Sequence, residues 1–301
     1  MFSTMFNKTD IDISKNVKIL TTAIYKGFDS EWKQVIEKET TDLKINKRMP
    51  YEGIGAAPEK AEGADAQSSR LYEGYQETVK LATFVYELPM TWEHRKYATK
   101  SAKFIEQVGE YMARSVNLRY EYTGISPIDN GFTAAAYAGG DTKAYFASDH
   151  AWKSGGTFDN LLTAADLSKT SLESALIEIA QATQELSIPA KIIPGKITIS
   201  SDNIFVLPEL LKTVQDPESA NNTINAIKSE FSLKKNLNHY MVDTDSWVID
   251  GQNPSRVLYE SQGPSFSQYM VDSSKNLVET GMCAIASGFH SMVNSYGNDG
   301  A

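Results

Sequence analysis

Between Tyr75 and Glu87 apolar and polar residues alternate. Val79, Leu81, Thr83 and Val85 fall on one face of an extended chain, and Thr78, Lys80, Ala82, Phe84 and Tyr86 fall on the other. That period of two marks a strand. A shorter run with strand character, residues 43–49, precedes it. Between the runs lie Pro50-Tyr-Glu-Gly-Ile-Gly-Ala-Ala-Pro58 and an Ala/Glu/Gly/Ser segment ending near Gly74, all turn and loop residues. The pattern predicts a long two-stranded hairpin with a mobile tip. Such a hairpin is marginal by itself in water, and its edges carry unpaired backbone groups. A surface beyond the chain's own core is therefore expected to cover it.

The period then changes. Tyr97, Ala98, Ser101, Ala102, Ile105, Val108, Met112 and Val116 recur at three-four spacing and make one stripe of a helix, with Lys96, Lys100, Lys103, Glu106, Glu110 and Arg114 around the remainder. Pro89 is suited to open this helix and Thr91 to cap it. From Thr91 to about Arg119 it spans on the order of 40 Å at 1.5 Å per residue. Before the hairpin, Trp32, Val35 and Ile36 predict a short amphipathic helix that ends at Thr40-Thr41, and residues 11–24 lack a clean period.

After the long helix, residues 124–156 are rich in Gly, Ala, Asn and Ser, with a strand-like run at Lys143–Ala147. Ser168 or Thr170 is placed to cap a helix carrying Leu172, Leu176, Ile179 and Ala180. Residues 197–200, 237–242 and 246–250 read as short strands. Residues 203–214 read as a helix started or split by Pro208, and residues 258–270 and 284–293 as extended. Helices and strands alternate irregularly and no internal repeat appears, so the class is α+β.

A length of 301 residues suggests about two domains. No apolar run reaches the roughly 18 residues a membrane helix needs, and the N-terminus lacks the pattern of a signal peptide. The single cysteine, Cys283, excludes an intrachain disulfide and reads as a small buried hydrophobe. A net charge of −9 argues against gripping nucleic-acid phosphates. It suits a surface kept soluble at high local concentration, or a wall that must not adhere to packed DNA.

Candidate chemistry is sparse. His94, His150, His239 and His290 lie far apart, and none sits in a metal-ligand pair. Asp149-His150 and Asp243-Thr-Asp245 read better as turns than as a catalytic pair or a cation site. The second lacks the Gly and terminal Glu of a calcium loop. Gly139-Gly140 and Gly155-Gly156 are not followed by the residues of a phosphate loop. No catalytic, cofactor-binding or metal residue is indicated, and the expected class is not an enzyme. Tyr51, Tyr72, Tyr75, Tyr86 and Trp92 lack the basic groove of a single-strand stacking platform and read as interface or core aromatics.

In its order of arm, extended hairpin, long helix, glycine-rich loop, second α/β region and returning strand, the chain resembles the tailed-bacteriophage major capsid protein with the Hong Kong 97-type fold. Within that fold it is most similar to the head subunit of Mu-like phages and prophages. Arg48-Met-Pro-Tyr-Glu-Gly53 and Phe84-Val-Tyr-Glu-Leu-Pro-Met-Thr-Trp-Glu93 resemble the two sides of that family's hairpin, the E-loop, and its entry to the spine helix. Asn130 to Asp141 and Tyr145 to Leu161 resemble its loop after the spine. Phe205-Val-Leu-Pro-Glu-Leu-Leu-Lys212 and Val242-Asp-Thr-Asp-Ser-Trp-Val-Ile249 resemble its apical region.

The resemblance implies an N-terminal arm over 1–42, an E-loop hairpin over 43–90, a peripheral domain over 91–164 and 271–301, and an axial domain over 165–270. It implies self-assembly into pentamers and hexamers as an icosahedral virion shell, built in the host bacterial cytoplasm around double-stranded DNA that is enclosed without sequence-specific binding. A portal protein, and in some shells a cement or decoration protein, are implied partners. Because the arm begins near Met1, a separate scaffolding protein is expected. No crosslink is expected from Lys44, Lys47, Lys60 or Lys80. Trp32, Met49, Tyr51, Tyr72, Tyr75, Phe84 and Tyr86 are the candidate inter-subunit contacts. An encapsulin-like nanocompartment shell is the alternative, and a soluble hydrolase using Asp149, His150 or Asp243–Asp245 is a more distant one.

Overall fold

The alternating run from Tyr75 to Glu87 builds two strands that serve different sheets. A computed structural model describes residues 19–63, 65–93, 101–134, 137–213, 224–252 and 254–300, with backbone only over 101–106. Strand β2 (Ile45–Arg48) pairs antiparallel with β5 (Glu77–Lys80), and β3 (Tyr51–Glu52) with β4 (Tyr72–Glu73), so the expected hairpin is present. At Leu81 the chain leaves it. Leu81 packs against Val257 and Tyr259, and β6 (Ala82–Met90) then joins β13 (Asn276–Phe289). The inward face changes parity there: Phe84 packs towards the core and Val85 is exposed, the reverse of the single-strand expectation.

The sheet that β6 enters has the order β1-β12-β13-β6, with β1 at Glu37–Thr40 and β12 at Arg256–Val271. Pro89 does not open the helix. It lies in β6 opposite Val278 on a sheet edge, where a missing N–H is tolerated. Helix α1 (Ser101–Asp129) packs on β13 and runs ten residues beyond Arg119, with Pro127 inside its last turn. Its 29 residues span roughly 43 Å. Val108, Met112 and Val116 are buried as the stripe requires, and Tyr120, Ile125 and Ile128 continue it. Tyr97 and Ala98 lie outside the described residues.

The amphipathic helix expected after Ser30 is one 3-10 turn, Glu31–Gln34, followed by β1, which pairs in parallel with β12. Its apolar residues are buried as expected, but within the chain's own core. Trp32 stacks on Tyr120 with ring centroids 5.7 Å apart. Glu121 of α1 accepts from the Glu31 and Trp32 amides at 3.1 and 2.8 Å. Gly124 of α1 leaves room for Trp32, since a Cβ there would stand 2.5 Å from the Trp32 Cβ.

A second core is built on the sheet β10-β9-β11-β14, with β9 at Pro194–Ile199, β10 at Lys234–Leu237, β11 at Trp247–Gly251 and β14 at Ser295–Asn298. Helix α2 (Lys169–Gln181) opens with a capping box between Ser168 and Ser171, as Ser168 foretold. Leu172, Leu176 and Ile179 project from it into a cluster with Ile197, Ile199, Trp247, Ile249 and Tyr296. Pro208 sits in the first turn of α3 (Val206–Lys212), and Asn225 caps α4 (Ala226–Glu230). The strand expected at 237–242 lies earlier, at β10. Lys143–Ala147 forms no strand; Tyr145 and Phe146 point from irregular backbone into a third cluster with Ile125, Val248 and Phe289.

The two units meet at a buried ionic junction. Arg256, at the start of β12, donates to Asp250 Oδ2 at 2.5 Å, to the Val35 carbonyl at 3.2 Å and to Ser295 Oγ at 3.3 Å. Ser295 Oγ donates in turn to Asp250 Oδ1 at 3.0 Å, and the Lys196 ammonium lies 3.6 Å from the same carboxylate. Burial holds the Lys196 ammonium below its ordinary range.

Candidate assembly surfaces

The hairpin carries an unusual load of exposed apolar side chains. Leu43, Tyr51, Ile54 and Leu71 are 56–63% exposed, Ile45 47% and Met49 37%. They are exposed because the strands' inward residues already satisfy the body. In β2 only Asn46 is buried, with Thr41 donating to its side-chain oxygen at 2.7 Å, and in β3 only Glu52 is. Single exposed apolar residues are ordinary, whereas a group on one projecting ribbon signals a binding surface.

Of the seven contact candidates, the structure places Met49 and Tyr51 on this ribbon face. Tyr72 and Tyr75 are half-buried at its neck, where Arg70 and Lys153 lie over their rings at 5.3 and 4.9 Å. Phe84 lies under Arg119 of α1, 3.6 Å from the guanidinium carbon to the ring centroid. Tyr86 is exposed beside it on β6. Trp32 belongs to the core under α1, so its side chain is not on the surface of the subunit. Composition could not separate it from the others. Its 3-10 turn depends on Glu121, 89 residues away.

Sequence inspection missed a second group. Phe205, Ile224 and Val242 are 77–83% exposed on the second unit. Phe205 sits between a 3-10 turn and α3, inside the stretch 203–214 that the sequence reads as one helix started or split by Pro208. Beside α1, open grooves of about 400 and 340 Å³ share Phe84, Arg119 and Tyr122 and reach Asp129 and Val242 at one end. Burial, then the neighbouring Asp243 charge, pushes Asp129 up to about 6, against amide bonds from Val242 and Asp243 that pull it down.

Among the described residues, those with possible chemistry form no reactive set; His94 lies outside them. His150 pairs with Asp141 at 2.6 Å through Nδ1, while Nε2 lies 3.3 Å from the Tyr145 carbonyl. Both ring nitrogens are engaged in a buried site, and Asp149 turns away to pair with Lys143. Asp243-Thr-Asp245 is a turn in which Asp243 accepts from the Asp245 amide at 3.2 Å and the Thr244 carbonyl accepts from Ser200. Burial pushes the Cys283 thiol up to about 11, away from the reactive thiolate. Among the described residues no group of three or more His, Cys, Asp or Glu is arranged to hold a metal ion, and no helix is long and apolar enough to cross a membrane.

No protein-family model matches the chain, and no curated protein matches it. Solved structures do. The mature capsid of bacteriophage PhiM1 is 11% identical with a TM-score of 0.57, over 90% of this chain and 87% of that one. The capsid of an empty GTA particle is 9% identical with a TM-score of 0.56, over 90% of both chains. A virus-like particle from Pyrococcus furiosus is 9% identical with a TM-score of 0.51, over 94% of this chain and 97% of that one. The chain has the Hong Kong 97-type fold.

Proposed function

We propose that the chain is the major head subunit of a tailed phage, one that assembles with its own copies into pentamers and hexamers closing as an icosahedral shell around double-stranded DNA. The observation that carries this reading is the projecting ribbon with its exposed apolar residues, Leu43, Ile45, Met49, Tyr51, Ile54 and Leu71. The fold it shares with the capsids of PhiM1 and the GTA particle supports it. In this reading the ribbon lies on a neighbouring copy, and Tyr72, Tyr75, Phe84 and Tyr86 border that contact. The unit built on β10-β9-β11-β14 takes the axial role. The α1 unit takes the peripheral role, and β12 counts with it because β12 pairs with β13. The arm expected over 1–42 is narrowed, because Trp32, Val35 and Ile36 just ahead of β1 are buried in this chain's own core and are not available to another copy. Scaffolding and portal proteins, and in some shells a cement protein, are its partners in this reading, the virion is its location, and its lineage is Mu-like. It catalyses no reaction. DNA is enclosed, not read, as the net charge of −9 favours.

The test is negative-stain microscopy of the expressed full chain, with and without the candidate scaffold. Closed particles are expected from the natural sequence, and folded, unassembled subunits from the double variant Met49→Asp/Tyr51→Asp. A chain that stays monomeric at every concentration with scaffold present would sink the reading. The alternative is an encapsulin-like nanocompartment shell. Particles that co-purify with a cargo protein and no DNA would select it.

A further inference from the structure

The neck of the hairpin is fastened to its own subunit by three carboxylates that bind backbone amides. Glu52, 3% exposed, accepts from the Lys153 and Ser154 N–H groups at 2.8 and 2.6 Å. The Lys153 ammonium closes the loop by donating to the Gly74 carbonyl, between β4 and β5 on the opposite side of the hairpin, at 2.9 Å. Glu77 accepts from the Gly140 N–H at 2.8 Å, and Glu185, from a third loop, accepts from the Gly53 N–H at 3.0 Å. The approach is close: a Cβ on Gly140 would stand 2.5 Å from the Gln76 carbonyl oxygen. The loop that delivers Glu185 holds Leu186 and Ser187 at φ 57°, a left-handed conformation that side chains other than glycine adopt at a cost. Beyond Gly55 the fastening ends, and every described residue from 56 to 71 is exposed.

A two-stranded ribbon bends easily at its base unless something holds it. Hydrogen bonds to ionised carboxylates are shorter and stronger than neutral ones. Here each glutamate joins the neck to a different stretch of the body, so the ribbon cannot swing without breaking several bonds together. We propose that Glu52, Glu77 and Glu185 are a latch that fixes the direction of the hairpin on the unassembled subunit, so that a neighbouring copy meets a flap already aimed. The inference rests on the shell reading above. Its energetic logic is preorganisation: ordering completed before contact is not charged against association.

Hydrogen exchange and light scattering on the full chain test it together, comparing Glu52→Gln and Glu185→Gln with the natural sequence. The control is Glu173→Gln, whose carboxylate pairs with Lys169 along its own helix. In the latch variants, amides of residues 51–53 and 72–77 are expected to lose at least ten-fold of their protection while α1 amides keep theirs. Assembly is expected to slow several-fold and still end in particles of natural size. Unchanged neck protection overturns the latch, and so does lost protection with assembly at the natural rate. Glu185 is half-buried, so Glu185→Gln covers the case in which Glu52→Gln fails to fold. If the natural chain never forms particles, the shell reading fails on that ground, and the exchange data alone decide whether the glutamates hold the neck.

Discussion

Replacing Arg256 with leucine removes the group that joins the two cores. Its guanidinium is fully buried and serves Asp250 from β11, Ser295 from β14 and the Val35 carbonyl ahead of β1. Breaking a buried pair by deleting one partner costs about 3–5 kcal/mol, because the remaining charge stays buried without compensation. Two features set where in that range the cost falls. The Val35 carbonyl loses its side-chain donor, worth about 1–3 kcal/mol. Against that, Lys196 stands 3.6 Å from Asp250 and Ser295 still donates to it, so the carboxylate is not wholly abandoned. We expect about 4 kcal/mol, a large share of the 5–15 kcal/mol typical of a folded chain. The double variant Arg256→Leu/Asp250→Leu should cost less than the two single changes added together, since it leaves no stranded charge. Urea unfolding of unassembled subunits, followed by tryptophan fluorescence and circular dichroism, measures both. Because the junction ties the cores together, the two probes should agree for the natural chain and separate for Arg256→Leu. A loss under 1 kcal/mol, or strict additivity in the double variant, would refute the role assigned to the pair.

Three further outcomes are expected. Burial pushes the Glu279 carboxyl from 4.5 up to about 7, with an opposing hydrogen bond from Gln268. The folded chain then binds the extra proton, so this group's stabilisation is complete below pH 4.5 and is lost as pH rises through 7, by about 2 kcal/mol after allowance for screening. Glu279→Gln should therefore raise the melting temperature at pH 8 and leave it unchanged at pH 4.5; a gain of equal size at both would contradict the assignment. Gly124→Ala sets helix propensity, favourable by up to about 1 kcal/mol, against overpacking on Trp32, unfavourable by about 1–3 kcal/mol. With the new Cβ 2.5 Å from the Trp32 Cβ, the clash should win, and a raised melting temperature would show otherwise. Gly140→Ala should loosen the hairpin neck more than the body, read as faster exchange at residues 72–77 than in α1.

The sequence exposed the elements whose signals are local. The capping box at Ser168, the stripe Val108-Met112-Val116 and the pairing of the first half of the run from Tyr75 lie where the local pattern puts them, whereas the second half leaves the hairpin for β13. What failed depended on distant partners. Trp32, Val35 and Ile36 have helical spacing, yet Glu121 and the edge of β12 turn that stretch into one tight turn and a strand. Pro89 looks like a helix opener only until β13 is known to lie beside it. The hairpin aromatics were legible as a group, but not which were taken by the subunit itself. That division is made by Lys153 and Arg119, each contributed by another part of the chain.

The treatment of the sheet edges narrows how the hairpin meets a neighbour. Strand β1 is an edge whose four residues, Glu37, Lys38, Glu39 and Thr40, are all exposed, and β6 is an edge carrying Glu87 and Pro89. Charge and proline at an edge discourage a further strand from pairing there. The hairpin's own strands carry Lys47 and Arg48 on one side and Lys80 on the other, so they too are blunted against strand addition. Their apolar residues stand out from the ribbon instead. Contact through main-chain hydrogen bonds is thus opposed at each of these edges, while burial of Leu43, Ile45, Tyr51 and Ile54 is favoured by about 25 cal/mol for each Å² removed from water. Under the proposed shell reading, side-chain packing of the ribbon face is accordingly the favoured contact. Its strength should therefore be nearly insensitive to salt and should weaken on cooling, as burial of apolar surface does and ionic contacts do not.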